Sequence, residues 1–254
     1  MLETEGLSKF FGGLEAVSEV DMSVKPGEKL GLIGPNGAGK TTFFNLVSGT
    51  LRPTKGRITF EGRDITGKSP HYIARKGIVR TFQGTNIYPD FTVLENVVLS
   101  CHLKPGIGLF ETVLSTAGSR RKEKAILQRS QEILELVGLD RLAHVAAKSL
   151  AHGHKRILGI AIALAAEPRL LLLDEPLGGM NASEVSETMG LIDRLWQKGI
   201  TILLIEHNMR ATMNLCQRII VLNFGRKIAE GSPVDIRTNA DVIKAYLGAG
   251  GHVA

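Results

Sequence analysis

Short apolar runs, each bounded by turn-forming residues, recur along the whole chain. Three of these runs are continuous and rich in branched side chains; they cover residues 30–33, 170–173 and 200–205. A continuous apolar run of this length indicates a strand that is buried on both faces, as in parallel sheets. Segments with helical periodicity separate the runs. The pattern therefore predicts an α/β fold with a mostly parallel sheet that helices cover on both sides.

Helices are predicted by periodicity and by end signals. They cover residues 40–48, 92–103 and 120–137, and a fourth follows Gly153. Thr92 and Glu95 have the spacing of a capping box, and Gly138 supplies a helix end. The third helix has one apolar face, formed by Ile126, Leu127, Ile133, Leu134 and Val137. Residues 56–60 and their flanks predict edge strands joined by glycine-rich turns.

Composition narrows the class of protein. The chain has 254 residues, 43% of them apolar, and a formal net charge of +6. The length fits one large α/β domain or two small ones, and the apolar share is enough for a sizeable core, which excludes disorder as the main state. Cys101 and Cys216 stand far apart, which favours a reducing compartment. No apolar run reaches the roughly 18 residues of a membrane span, and the acidic N-terminus is unlike a signal peptide. We therefore expect a cytosolic chain.

A glycine-rich loop carries a complete phosphate-binding pattern, G-x-x-x-x-G-K-[ST], between a predicted strand and a predicted helix. Its glycines let successive N–H groups converge on phosphate oxygens, and the helix adds its positive end. Lys40 supplies a charge for the outer phosphates, and Thr41 supplies a hydroxyl for Mg²⁺. The candidate nucleotide-binding residues of this loop are Gly34, Pro35, Asn36, Gly37, Ala38, Gly39, Lys40, Thr41 and Thr42.

Two acids, Asp174 and Glu175, end the apolar run at 170–173. An acid at the end of a buried strand is costly unless it faces a cation. We interpret Asp174 as a ligand of Mg²⁺ and Glu175 as the group that polarises the attacking water. Together with the phosphate loop, this pair predicts a nucleotide hydrolase.

Four further segments make the prediction specific. In chain order they are Thr81-Phe82-Gln83, Leu150-Ala151-His152-Gly153-His154, Gly178-Gly179-Met180-Asn181 and Ile205-Glu206-His207. They stand where ATP-binding cassette (ABC) ATPases carry their glutamine loop, signature, D-loop and switch histidine. The chain resembles an ABC transporter nucleotide-binding subunit over almost its whole length. The resemblance implies one ABC ATPase domain over 1–254: a P-loop NTPase core with a mostly parallel sheet, an antiparallel β subdomain and an inserted helical subdomain at roughly 85–155.

The resemblance also implies roles and ligands. The ligands are ATP and Mg²⁺, with Phe11 or its neighbour Phe10 stacking on adenine. Gln83 contacts Mg²⁺ and the attacking water, and His207 hydrogen-bonds the γ-phosphate and Glu175. The metal set is thus Thr41, Gln83 and Asp174, and the catalytic set is Glu175, His207 and Gln83.

The signature segment departs from the family pattern. Ala151 and His152 stand where the family has Ser and Gly, and His154 stands where it has Gln. Gly153 is retained, so backbone N–H groups at the helix start remain available. These four residues are expected to contact the ATP of a second subunit. Asn181 departs as well, since Asp is the usual D-loop residue there.

A narrower resemblance covers both ends and the core of the chain. Residues 11–17, 79–83, 206–209 and 241–248 are similar to the ATPase subunits of branched-chain amino acid importers. This implies a second ATPase subunit, identical or a sister, together with transmembrane permease subunits that hold the chain on the inner face of the cell membrane. No nucleic acid partner is expected. The alternative is a soluble, non-transport ABC ATPase, such as one that serves iron–sulfur cluster assembly.

Overall fold

The structure is a computed structural model that describes residues 1–81, 87–102 and 117–247. Its strands are β1 (Leu2–Phe11), β2 (Leu14–Val24), β3 (Lys29–Ile33), β4 (Lys55–Phe60), β5 (Arg63–Asp64), β6 (Ile78–Arg80), β7 (Leu170–Asp174), β8 (Thr201–Ile205), β9 (Arg218–Asn223) and β10 (Arg226–Gly231). Its α-helices are α1 (Lys40–Val47), α2 (Pro70–Arg75), α3 (Val93–His102), α4 (Ala117–Val137), α5 (His152–Leu164), α6 (Ala182–Gln197), α7 (Met209–Leu215), α8 (Pro233–Thr238) and α9 (Ala240–Leu247).

The larger sheet has six strands in the order β10-β9-β3-β8-β7-β6. All neighbouring pairs are parallel except β9 with β10. This confirms the mostly parallel sheet that the three apolar runs predict, because β3, β7 and β8 are those runs and every residue in them is buried. Their carboxyl ends lie side by side, so the loops that follow them share one edge of the sheet.

Alternate residues of these strands contribute to two hydrophobic cores. Leu170 and Leu172 of β7 pack in the core that contains Phe43 of α1. Leu171 and Leu173 point to the opposite face and pack with α3, α4, α5 and α6. Strand residues therefore read as a continuous apolar run, since neither face of the sheet meets solvent.

The smaller sheet is antiparallel, with the order β2-β1-β4-β5. It covers the α1 side of the larger sheet and shares its core there. The prediction that 56–60 forms an edge strand is wrong, because β4 lies between β1 and the two-residue strand β5. The turn between β1 and β2 brings Phe11 to the tip of a hairpin.

The predicted helix signals are largely confirmed. The carboxylate of Glu95 accepts from the Thr92 N–H at 2.7 Å, and the Thr92 hydroxyl accepts from the Glu95 N–H at 3.1 Å, which completes the capping box. Gly138 follows α4 with a φ of 77°. One part of the α4 prediction is wrong: Leu127 is 43% exposed, whereas Ser130 is fully buried.

Helices α3, α4 and α5 all lie between β6 and β7 in the sequence, and residues of all three pack together in one core. The limits of the inserted helical subdomain at 85–155 stay a prediction. Gln83 lies outside the described residues. In the parts of the chain that the structure describes, no helix has the length and apolar character that a bilayer crossing requires.

Phe224 occupies an unfavourable backbone conformation in the turn between β9 and β10. Phe224 and Gly225 have φ values of 45° and 77°, and Asn223 pairs with Arg226 across them. Two positive φ angles in a two-residue hairpin define a type I′ turn, which favours Asn-Gly. The Phe224 ring is 83% exposed and thus gains little from packing.

Phe224→Asn is therefore expected to stabilise the isolated chain by about 0.5–1 kcal/mol, because Asn tolerates positive φ better than Phe. Thermal melting should show a rise of about 2 °C. Phe224→Ala is the control, since it removes the ring but keeps the strained backbone, and it should melt close to the parent chain. A melting temperature for Phe224→Asn at or below that of the control would contradict the turn argument.

Candidate functional site

The loop after β3 is shaped by close backbone contacts at two glycines. Gly34 has a φ of 153°, and a Cβ atom there would lie 2.1 Å from the carbonyl oxygen of Leu222 on β9. Gly39 has a φ of 98°, and its Cβ would lie 2.3 Å from the carbonyl oxygen of Ala16. Any side chain at either position would push the loop out of place. The β-strand neighbours of the loop therefore enforce the glycines in the sequence pattern.

Lys40 begins α1 and folds back over this loop. Its ammonium group donates to the carbonyl oxygens of Gly34 at 2.7 Å and Pro35 at 2.9 Å. Burial of the ammonium group lowers the pKa of Lys40, and the negative charges of Glu175 and Asp174 oppose that shift. The positive charge thus sits in a buried position close to both acids at the end of β7.

The start of α1 has the features of an anion site. Gly39 is its N-cap and makes no side-chain capping bond. Thr41 is exposed in its first turn, Thr42 is half-buried, and Asn36 and Gly37 are exposed at the loop tip. Backbone N–H groups at such a helix end attract phosphate oxygens.

Asp174 ends β7 as a buried carboxylate. One of its oxygens accepts from the Arg80 guanidinium at 2.6 Å, and its backbone N–H donates to the Thr81 hydroxyl at 3.3 Å. The carboxylate of Asp174 and the hydroxyl of Thr41 are oxygen donors of the type that Mg²⁺ prefers. The residues at this edge of the sheet therefore fit a magnesium ion. The sequence analysis assigns no role to Arg80. Its charge directly follows the apolar residues of β6, and this position indicates a polar partner at the end of the strand.

Glu175 and His207 meet at the same edge of the sheet. The Glu175 carboxylate oxygen Oε1 lies 2.6 Å from Nε2 of His207, which follows β8. The Glu175 N–H donates to the Ile205 carbonyl at 2.9 Å, and its φ of 49° is unusual for a residue other than glycine. Both side chains remain partly exposed. The pair thus presents a partly exposed carboxylate that is close enough to influence the charge of Lys40.

Glu206 lies between the end of β8 and His207, and the sequence analysis assigns it no role. Its buried carboxylate accepts from the Leu177 N–H at 2.8 Å, and its other oxygen accepts from the His207 N–H at 3.1 Å. Burial raises the pKa of Glu206; backbone hydrogen bonds from Leu177, Asn208 and His207 oppose this shift, and the nearby charge of Glu175 adds to it. Glu206 therefore fixes the loop after Glu175 to the loop that carries His207.

The signature segment begins α5. Ala151 is the N-cap without a side-chain bond, His152 is exposed, Gly153 is buried and His154 is half-buried. A Cβ atom at Gly153 would lie 2.6 Å from the carboxylate of Glu184 on α6. This close approach gives a local reason for the retained glycine.

The D-loop lies against the signature segment within this chain. A Cβ atom at Gly179 would lie 3.1 Å from the ring of His152. Asn181 is the N-cap of α6 and forms a full capping box with Glu184. Because Asn and Asp cap helices about equally well, the departure at Asn181 preserves the helix start.

Two aromatic residues end β1. The ring of Phe11 is 46% exposed, and the ammonium group of Lys9 lies 5.2 Å from its centre. Phe10 is half-buried, with the Lys55 ammonium group 5.8 Å from its ring centre. Phe11 thus offers the more accessible aromatic face.

The C-terminal helix α9 reaches the phosphate loop. Burial raises the pKa of Tyr246 to about 12, and a hydrogen bond with the backbone of Gly34 opposes that shift. Val242 of the same helix packs in the core that contains α5 and α6. The segment that resembles branched-chain amino acid importers is therefore in contact with the nucleotide-binding loop.

Fold and site together define a P-loop ATPase with a cassette-type set of loops, and comparisons with known proteins agree. Residues 17–178 match the family model described as ABC transporter, and residues 226–252 match the one described as branched-chain amino acid ATP-binding cassette transporter. The chain belongs to the ABC transporter family, as the motifs predicted, and is an ATPase of that family.

Similar proteins cover nearly the whole chain. The high-affinity branched-chain amino acid transport ATP-binding proteins BraF of Pseudomonas aeruginosa and LivG of Escherichia coli K12 are 41% and 43% identical to it, over 98% of each chain. A solved ATP-binding cassette in its ADP conformation has a TM-score of 0.86 at 32% identity and 98% coverage of both chains. A dimeric cassette structure has a TM-score of 0.76 at 25% identity, covering 92% of this chain and 99% of the other.

Proposed function

We propose that this chain is the ATP-hydrolysing subunit of an importer for branched-chain amino acids. The observation that carries the proposal is the Glu175–His207 pair, 2.6 Å apart beside a complete phosphate loop. The solute class is supported by the similarity to BraF and LivG, which are branched-chain amino acid transport proteins, and by the match of residues 226–252.

ATP binding is assigned to residues 34–42 with Phe11 under the adenine. The Lys40 ammonium group leaves the carbonyls of Gly34 and Pro35 for the outer phosphates, which carry a full charge and bind it more strongly than neutral carbonyls do. Thr41 and Asp174 are assigned to Mg²⁺, which neutralises charge on the phosphates when it is bound. Gln83 is assigned to the same ion and to the attacking water; it lies outside the described residues.

Hydrolysis is assigned to Glu175 and His207. The Glu175 carboxylate accepts a hydrogen bond from the attacking water and orients it toward the γ-phosphate. His207 holds that carboxylate in place and keeps its remaining ring nitrogen for other partners. Glu206 accepts backbone N–H groups from both loops and so holds the loops that carry the pair together.

A second ATPase subunit, identical or a sister, completes the site. Its signature segment, Ala151 to His154, faces the γ-phosphate, where the N-terminal end of α5 attracts negative charge. Closure of the two subunits excludes water and is transmitted to transmembrane permease subunits, which place the chain at the inner face of the cell membrane. We assign the helical subdomain at 85–155, with Gln83, to this transmission.

Uptake measurements test the proposal. Deleting the gene in its source organism should lower uptake of labelled leucine, isoleucine and valine, and the parent chain should restore it. Glu175→Gln, expressed to the same level, should not restore uptake, because it binds ATP without turnover. Uptake of labelled glucose is the control and should be unchanged.

The outcome also separates the two function classes. Unchanged uptake of all three amino acids would refute the importer assignment. Loss of iron–sulfur enzyme activity in the same deletion strain, with the chain absent from purified membranes, would favour the soluble alternative.

A further inference from the structure

The guanidinium group of Arg80 rests on the carboxylate assigned to magnesium. Its Nη2 atom lies 2.6 Å from Oδ2 of Asp174, and the two side chains are only 8% and 4% exposed. The contact joins the ends of neighbouring parallel strands, because β6 pairs with β7 in the larger sheet. Charged side chains are almost never buried to this degree unless they are paired.

The same guanidinium group is fixed on its other side by α1. Nη1 donates to the side-chain oxygen of Asn45 at 2.6 Å, and the guanidinium carbon lies 5.6 Å from the centre of the Phe44 ring. Asn45 and Phe44 belong to the helix that begins at the phosphate loop. Arg80 therefore joins the phosphate-loop helix to the acidic end of β7.

The buried carboxylate of Asp174 needs a positive charge close to it. A buried carboxylate without a counter-charge is strongly destabilised. The Lys40 ammonium group is engaged with the carbonyls of Gly34 and Pro35, so the guanidinium group makes the direct contact with Asp174. Arginine is always charged in proteins, which makes its positive charge permanent.

The guanidinium group already contacts Oδ2 of the buried Asp174 carboxylate. A divalent cation that binds the same carboxylate is repelled by this fixed positive charge, and the repulsion is strong away from water. We propose that Arg80 is a positioning residue that stands in for the metal: it holds Asp174 in place in the nucleotide-free chain and gives up that carboxylate when Mg²⁺·ATP binds. The proposal rests on the proposed function, since it takes Asp174 as the magnesium residue.

Magnesium binding without nucleotide provides the first test. In the parent chain, Mg²⁺ should not change the melting temperature beyond the effect of a matched concentration of NaCl. Arg80→Met should melt at a lower temperature and then gain stability as Mg²⁺ is added, because the vacated carboxylate accepts the ion. We expect its apparent affinity for Mg²⁺ to rise by about tenfold or more over the parent chain, equivalent to about 1.4 kcal/mol per factor of ten.

Two variants serve as controls. Arg80→Met combined with Asp174→Asn should lose the response to Mg²⁺, because the carboxylate is gone. Arg169→Met removes an arginine whose ion pair with Glu61 is far more exposed, and it should show no response. Equal responses to Mg²⁺ in the parent chain and Arg80→Met would overturn the proposal.

Side-chain nitrogen NMR of the parent chain tests the release itself and does not depend on a folded Arg80→Met. The guanidinium signals of Arg80, assigned by their loss in Arg80→Lys, should shift when ATP is added with Mg²⁺ but not when ATP is added with EDTA. Signals that stay the same with bound Mg²⁺·ATP would show that the Arg80–Asp174 pair is permanent and would refute the inference alone. A chain that fails to bind ATP at all would instead refute the proposed function.

Discussion

Replacing Glu175 by Gln is expected to lower ATP turnover by about 10²–10⁴-fold while ATP binding is retained. The amide keeps the size of the side chain but cannot accept a proton or orient water as a carboxylate does. Steady-state phosphate release and binding of a fluorescent ATP analogue measure the two properties separately.

The geometry around Glu175 explains why replacing one carboxylate oxygen by an amide nitrogen should lower ATP turnover so strongly. Its carboxylate is held at 2.6 Å by His207, and its backbone is held by the Ile205 carbonyl at 2.9 Å in a conformation with φ near 49°. Strained backbone that the surrounding structure holds in place is a common feature of catalytic positions. The substitution therefore changes the chemistry of a group whose position stays fixed.

A second consequence concerns assembly. Because Glu175→Gln binds ATP but does not release it as products, it should accumulate as an ATP-bound pair of subunits, which size-exclusion chromatography with ATP would detect. Glu132→Gln on the exposed face of α4 is a matched control, and it should keep parental turnover. If Glu175→Gln retained more than about a tenth of the parental ATPase activity, the catalytic role of Glu175 would be refuted.

The sequence predicts best those parts of the fold in which burial on both faces permits apolar residues alone. Strands β3, β7 and β8 are buried on both faces, so their composition leaves no pattern but a continuous apolar run. The carboxyl ends of such strands share one edge, which brings Lys40, Asp174 and His207 together although they are far apart in the chain.

The errors arise where tertiary contacts outweigh pattern. In α4 the apolar Leu127 is 43% exposed, whereas the polar Ser130 is fully buried. The Ser130 hydroxyl donates to the Ile126 carbonyl four residues earlier at 2.8 Å, so its burial leaves no unsatisfied donor. A pattern of apolar residues does not show that a polar side chain can be buried when it bonds to its own helix.

Long-range polar contacts are the other missed class. The Arg80–Asp174 hydrogen bond joins residues 94 positions apart, and the Glu206–Leu177 bond joins residues 29 apart. Arg80 and Glu206 are each, taken alone, an ordinary charged residue at or beside a strand end, and Leu177 contributes only its backbone N–H. Their roles become visible only when the sheet places both partners at one edge and buries them.

The departures in the signature and D-loop have a partial physical account. Asn181 caps α6 as an Asp would, through bonds from the Ser183 and Glu184 N–H groups at 3.0 Å. A side chain at Gly153 would displace the Glu184 carboxylate, which also accepts from the Asn181 N–H at 2.9 Å. Nothing in the structure explains the choice of His154 over other polar residues.

Lys40→Ala should weaken ATP binding by about 10²-fold or more, because a charged hydrogen bond contributes roughly 1.5–3 kcal/mol and Lys40 is expected to make two with the outer phosphates. Among the described residues, the hydrogen bonds of the ammonium group in the nucleotide-free chain go to the neutral carbonyls of Gly34 and Pro35, at 2.7 and 2.9 Å. Its removal should therefore change the melting temperature little.

Calorimetric titration with ATP measures this loss of affinity directly, and Lys148→Ala, which removes an exposed lysine paired with Asp90, provides a control that should bind ATP as the parent chain does. The contrast with Glu175→Gln is the informative part. Both variants stop turnover, but only Lys40→Ala should also abolish ATP-dependent pairing of subunits, because the nucleotide that joins them no longer binds. If Lys40→Ala bound ATP with an affinity within threefold of the parent chain, the Lys40 ammonium group would not contribute to phosphate binding. The phosphates would then be bound by the backbone N–H groups of the loop and of α1 alone.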